Sequence, residues 1–358
     1  MHDCARRPPW SANRTPRTVR KKDQMAGEWV GQLIANQDRV WPQALAVAKP
    51  LALDPPIVFV GSGSSYYLAG VAAHVARRLG MSAWASPAGE VLTDPEASLL
   101  QAASALIVSR SGATSEALLA ADAIRTLGRP VVGLTCSPES PLASHVDSLT
   151  VLEADDQTVV MVQSFTAMLL WLQASLALTA GTDMAPSFRP GLVAHVLAQT
   201  VPAVERLMGP PPRRTIYLGS GVRYGIAREG ALKALEMGGG QVLWYQPLEF
   251  RHGPWGSVEA GDVIIFLNVR GKATATRATA STDTLVGELA ARGATVMEVA
   301  RTPTGQAAES IVLPEAVPDL WAGPLALVAL QHYAWAWSLA LGRDPDQPRH
   351  LTKVVRLE

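Results

Sequence analysis

Glu229, Lys233 and Glu236 fall at i, i+4 and i+7 in the run Glu229-Gly-Ala-Leu-Lys233-Ala-Leu-Glu236, so a helix here carries two carboxylates and an ammonium on one face. Beside an ammonium at the mouth of a pocket, burial would fit Glu236 to act as a base. The same spacing also builds a solvated ion-pair ladder worth about 0.2–0.5 kcal/mol per pair, and spacing alone leaves both readings open. Further on, Glu249-Phe-Arg-His252-Gly-Pro254 sets a histidine between an arginine and a Gly-Pro turn, where it can exchange a proton near neutral pH or be held as structure. A third group, Ser109-Arg110-Ser111-Gly112-Ala113-Thr114, offers three hydroxyls and a guanidinium to an anion such as a phosphate.

These groups need elements to hold them, and the chain supplies such elements twice. Ile57-Val-Phe-Val-Gly61-Ser-Gly63-Ser64-Ser65-Tyr66 and Ile216-Tyr-Leu-Gly219-Ser-Gly-Val-Arg-Tyr224 each run an apolar strand into a Gly/Ser turn and on into a helical pattern. A strand, a tight glycine turn and a helix bring unpaired N–H groups and the positive end of a helix dipole to one point, which suits an anion. A second strand follows in each half (105–108 and 263–267), and a third follows that (130–135 and 294–299). The pattern predicts an internal duplication of one α/β unit, with parallel sheets covered on both faces and ligands at the carboxyl ends of the strands. The second copy has Asn-Val-Arg-Gly-Lys where the first has its hydroxyl cluster, so a phosphate is expected in the first half only, with Gly63, Ser64 and Glu249 as further pocket candidates.

Helices are expected over 27–48, 71–80 and 115–128, with a long apolar helix after Pro318 ending near Gly342. The domain reading is a basic tail over 1–24, a first phosphate-binding unit over 25–188, a second unit over 189–342 and a C-terminal segment over 343–358. The linker is placed at Met184 to Gly191, where Pro186 and Pro190 bracket a break.

The chain has 358 residues, enough for two domains, and a 48% apolar fraction that supports sizeable cores. Zero formal charge and a pI near 7.1 argue against a nucleic-acid or membrane-surface role and favour a small ligand. The two cysteines, Cys4 and Cys136, are far apart and the seven histidines are scattered, so no disulfide framework, metal or cofactor is expected and the cytoplasm is the expected compartment. Two apolar stretches, 166–181 and 321–342, read as core or subunit-interface helices rather than bilayer spans. Residues 1–24 carry seven basic residues and no apolar run. They read as an upstream extension of the reading frame, with Met25 opening the fold, ahead of a nucleic-acid arm or a transit sequence.

Gly-Ser-Gly-Ser-Ser-Tyr, Ser-Arg-Ser-Gly-Ala-Thr, Glu-Gly-Ala-Leu-Lys-Ala-Leu-Glu, Glu-Phe-Arg-His-Gly-Pro and the terminal Asp346-Gln-Pro-Arg-His-Leu-Thr-Lys353 resemble the double sugar-isomerase (SIS) domain proteins. Within that family the chain is similar to the isomerase half of glucosamine-6-phosphate synthase, to stand-alone glucosamine-6-phosphate deaminases and to AgaS-like ketose/aldose isomerases. The resemblance covers Met25 to Glu358. It implies two tandem three-layer αβα (flavodoxin-like) units, with Ser65, Ser109, Arg110, Ser111 and Thr114 cradling a sugar phosphate.

It also implies that Glu236 moves a proton between C1 and C2, that Lys233 supports it, and that His252 opens the sugar ring. In the synthase that histidine reaches across from the neighbouring subunit of a homodimer. Lys353 resembles the lysine that engages the open-chain ketose as a Schiff base. No glutaminase domain and no Met-Cys amino terminus are found, so glutamine-dependent synthesis is not expected. The reaction expected is deamination of glucosamine 6-phosphate. AgaS-like isomerisation and removal of an amine from a fructosamine 6-phosphate are the alternatives, and a sugar-phosphate sensor is the rival from another class. Gly238-Gly-Gly240, directly after the expected base, is an unusually loose turn.

Overall fold

A computed structural model describes residues 25–182, 188, 190–268 and 277–357, with the side chains of 277–279 left aside. Ten strands form two five-stranded sheets in which every described pairing is parallel. The first sheet holds β1 (Ile57–Gly61), β2 (Ala83–Pro87), β3 (Ser104–Val108), β4 (Val131–Thr135) and β5 (Ser148–Val151), in the order β2-β1-β3-β4-β5. The second holds β6 (Arg214–Leu218), β7 (Val242–Tyr245), β8 (Asp262–Asn268), β9 (Thr295–Ala300) and β10 (Glu309–Val312), in the order β10-β9-β8-β6-β7. Read from the other edge, the second order is the first repeated, so the duplication extends to topology. The central strands β1, β3, β4, β6 and β8 are buried along their whole length, as continuous apolar runs covered on both faces must be. The three strands expected in each half are the central ones. Two more lie at the edges of each sheet.

The apolar stretches set aside as membrane spans form helices Gln163–Thr179 and Gly323–Ala340, and they are core. From Ser164 to Ala177 every residue is buried. No helix among the described residues is long and apolar enough to cross a membrane. One continuous core joins the halves, with Leu68, Phe165, Trp171, Ile226, Trp321 and Tyr333 among its members.

Two helix expectations need correction. The segment 27–48 is not one helix but Glu28–Ala35 and Trp41–Ala46, separated by a 3₁₀ turn at Gln37–Arg39, because Pro42 cannot donate to a preceding turn and starts a new helix instead. The helix expected over 71–80 begins seven residues earlier and runs Ser64–Arg78. Its first turn, Ser-Ser-Tyr-Tyr, lacks an apolar stripe but follows directly on Gly63. The expected tail over 1–24, including Cys4, lies outside the described residues, and so does most of the expected linker.

Candidate functional site

Both glycine loops take one backbone form. Gly63 has φ 56° and ψ −127°, and Gly221 has φ 61° and ψ −128°, a conformation open to glycine and strained for other residues. A side chain at Gly61 would sit 2.5 Å from the backbone of Ser65, so the loop closes this tightly only with glycine there. Helix Ser64–Arg78 springs from the first loop and helix Val222–Met237 from the second, and the two pack on each other.

That packing brings Ser64 of the first half onto the charged face of the second. Lys233 is fully buried, and its Nζ lies 3.1 Å from Ser64 Oγ, 3.2 Å from Glu229 Oε1 and 2.5 Å from Glu236 Oε2. Ser64 Oγ in turn donates to Glu229 Oε1 at 3.1 Å. The ladder reading of the helix face is therefore replaced by a buried network. Burial raises the Glu229 carboxyl from its ordinary 4.5 to about 7, with Lys233 opposing and Glu236 adding to the rise. Burial also works against charge on Lys233, but the two carboxylates outweigh it and lift the ammonium above its usual range. Glu229 has no access to a ligand. Glu236 keeps 20% of its side chain exposed and lines a cleft of about 670 Å³.

The opposite side of that cleft is the segment after the last helix, including Arg343, Asp344, Gln347, Arg349 and His350. The segment continues to Lys353, whose Nζ pairs with Asp155 Oδ2 at 2.8 Å. Beyond it, Val355 O accepts from Ser115 N at 3.3 Å and Leu357 N donates to Ser115 Oγ at 3.1 Å. One strap thus runs from Glu236 in the second half to the hydroxyl loop of the first.

In that loop Ser109 Oγ accepts from Gly112 N and Ser111 Oγ accepts from Ala113 N, at 3.1 and 3.2 Å. Each hydroxyl keeps its proton to donate. The hydroxyls of Ser65 and Thr114 have no partner among the described residues. Thr114 stands at the start of helix Ser115–Thr126 without capping it, so its hydroxyl and the helix end face one place.

Arg110 departs from expectation. Its guanidinium donates to Thr158 O at 3.2 Å and Val159 O at 2.9 Å and lies 3.5 Å from Asp156 Oδ2, with only 6% of the residue exposed. The guanidinium pairs with a buried carboxylate and braces the 156–159 segment. His252 is exposed on the turn after the short helix Pro247–Phe250, and its ring has no polar partner among the described residues. Glu249 is exposed on the same short helix, apart from the network. Among the described residues no group of His, Cys, Asp and Glu could hold a metal ion.

Sequence reasoning named Glu229 on its face but gave it no role, although its spacing to Lys233 carried the signal. It missed Asp155 and Arg343, which the motifs do not mark. Arg349 and His350 lay inside a quoted motif without an assignment.

A family model described as the SIS domain matches residues 53–178 and 211–311. The chain belongs to the SIS domain family. The two matched segments fall on the two sheets. The chain is similar, at 31% identity over 268 residues, to an isomerizing glutamine–fructose-6-phosphate aminotransferase of Pyrobaculum aerophilum, covering 71% of this chain and 44% of that protein. It is also similar to the D-galactosamine-6-phosphate deaminase AgaS of a Shewanella species, at 26% identity over 68% of this chain and 70% of the relative. Among solved structures, a glucosamine-6-phosphate deaminase from Thermotoga maritima superposes with a TM-score of 0.77 at 27% identity, over 92% of this chain and 100% of that one. This SIS chain thus spans less than half of the aminotransferase but the full length of the solved deaminase.

Proposed function

We propose that this SIS protein is a phosphosugar enzyme that deaminates an amino-sugar 6-phosphate, with glucosamine 6-phosphate as the leading substrate. The observation that carries the reading is the Ser64–Lys233–Glu236 network, which fixes a carboxylate at a cleft and ties it to the half that holds the hydroxyl loop. In this reading the two halves are separate domains, 25–188 and 189–342. Ser65, Ser109, Ser111 and Thr114 hold the 6-phosphate, donating hydroxyl protons to its oxygens. With the sugar open, Glu236 removes the C2 proton and returns a proton to C1, and the resulting C2 imine is hydrolysed to ketose 6-phosphate and ammonia.

Lys233, kept charged by two carboxylates, orients Glu236. Lys353, on the strap, attends the carbonyl end. His252, exposed and unpartnered in one chain, acts as the ring-opening group across a homodimer interface. This chain covers 70% of the AgaS deaminase and all of the solved Thermotoga deaminase, a likeness that supports the deaminase reading.

The test is a paired assay of ammonia and fructose 6-phosphate on the purified full chain given glucosamine 6-phosphate. Equal release of both is the expected result. Consumption of glucosamine 6-phosphate with neither product formed, or neither product with binding retained, would overturn the deaminase reading.

A further inference from the structure

An ion pair ties the strap to the first half, and the proposed reaction gives its acid nothing to do. Lys353 Nζ lies 2.8 Å from Asp155 Oδ2 and has no other partner among the described residues. An ammonium carries three N–H donors, so two are left for a ligand. Asp155, by contrast, stands on a pinned segment. Its carbonyl accepts from Gln163 Nε2 at 3.2 Å, and the carbonyl of Asp156 accepts from Trp29 Nε1 at 2.9 Å. The Asp156 carboxylate accepts from Val162 N at 3.1 Å and Ser164 N at 3.2 Å and pairs with Arg110. Both charges of the Lys353–Asp155 pair act on the thiol of Cys136, the residue after β4, whose N donates to Arg110 O at 2.9 Å. The pair therefore sits at the carboxyl end of the first sheet, beside the hydroxyl loop.

A lysine can serve a carbonyl as a nucleophile or as an ammonium. Nucleophilic lysines have a free lone pair, which an apolar pocket or neighbouring cations secure. Lys353 has a side chain 34% exposed, and the charge against it is an anion. To attack a carbonyl it would have to give up a proton and its ion pair together. As an ammonium it already has the form that a developing enol oxygen needs. A pair this exposed adds little to the fold, so its value lies in where it puts the nitrogen.

We infer that Asp155 is a positioning residue that holds Lys353 as a proton donor to the carbonyl oxygen of the open sugar, in place of a Schiff-base nucleophile. This deepens the reading above and rests on it. As Glu236 takes the C2 proton, the carbonyl electrons move to O1, which takes a proton from Lys353. Glu236 then delivers its proton to C1, and the C2 nitrogen returns a proton to Lys353 as the C2 imine forms. Both side chains end as they began, and water hydrolyses the imine to ketose and ammonia. Between turnovers Asp155 takes the ammonium back.

The experiment measures kcat and KM for glucosamine 6-phosphate on the full chain, on Asp155→Asn and on Asp155→Glu. In parallel, borohydride is added to the full chain saturated with fructose 6-phosphate, and the intact mass is read for a reduced sugar adduct. The expected result is a kcat lower by about tenfold or more in Asp155→Asn with KM within about twofold, recovered in large part by Asp155→Glu, and no adduct. A kcat unchanged or raised in Asp155→Asn, or an adduct on Lys353, would overturn the inference, while ammonia release by the full chain would leave the deaminase standing. A loss carried in KM, or one that Asp155→Glu does not recover, would make Asp155 a support of its loop and overturn the inference as well. If the full chain releases no ammonia from glucosamine 6-phosphate, both readings fall.

Discussion

The two halves share strand order and a glycine loop of the same backbone conformation, yet they offer an anion different side chains. After β3 the first half presents hydroxyls with protons to give. After β8 the second presents Asn268, whose Nδ2 donates to the fully buried Glu298 at 2.7 Å, and Glu298 also accepts from Thr304 N and Oγ1. At the glycine loops the contrast repeats. Ser64 and Ser65 open the first helix, whereas Val222 and Arg223 open the second, with Arg223 paired to Asp319 and the Ser220 hydroxyl accepting from Gln246 Nε2. A duplicated fold thus supplies two loops of one shape, with a buried carboxylate near the second, and in the proposed reaction that second copy carries the base. The teaching is that backbone geometry permits a phosphate site, and side-chain charge decides whether it is one.

The largest expected effect breaks the division of labour on the catalytic side. Glu236→Gln should lower kcat by about 10³-fold while phosphosugar binding, followed by calorimetry, persists. Retention of wild-type turnover would move the base elsewhere. Next comes the phosphate side. Ser111→Ala should weaken binding of glucosamine 6-phosphate by roughly tenfold, whereas Ser220→Ala, at the corresponding loop of the other half, should leave the dissociation constant unchanged. Equal losses would mean that both loops hold ligand.

A third effect concerns the network between the halves. Because Glu229 is lifted from 4.5 to about 7 on folding, the folded chain keeps a proton that the unfolded chain has released between those values. Stability therefore falls as pH rises through that window. Glu229→Gln removes this dependence, so its stability relative to the parent should improve from pH 5 to pH 8 by about 1–3 kcal/mol in denaturant titrations. A constant difference would show that Glu229 is charged throughout. The smallest effect belongs to the strap. Lys353 and Asp155 are each about one-third exposed, at 34% and 36%, so Lys353→Met should cost less than about 0.5 kcal/mol of stability in the same titrations. A much larger loss would make the strap a structural clamp.

The duplication and the six central strands could be read from the chain because strands buried on both faces leave unbroken apolar runs such as Ile57-Val-Phe-Val. Edge strands such as Ser148–Val151 could not, since a four-residue, half-exposed segment carries no such run. In the site, Glu229, Lys233 and Glu236 were visible through helical spacing, but the part played by Ser64 depends on two helices meeting across 165 residues of sequence. The surroundings of Arg110 are illegible for the same reason: its partner Asp156 is 46 positions away and has no motif of its own, so nothing in the serine run shows that the guanidinium is paired.

The strap after Gly342 also orders events in time. Lys353 and the residues that bind Ser115 leave the ribosome only after all ten described strands have been made. A growing chain can therefore lay down both sheets and bury the Lys233 network while its cleft still lacks a wall. In the proposed reaction the cleft is complete only when these later residues fold back onto a loop synthesised some 240 residues earlier.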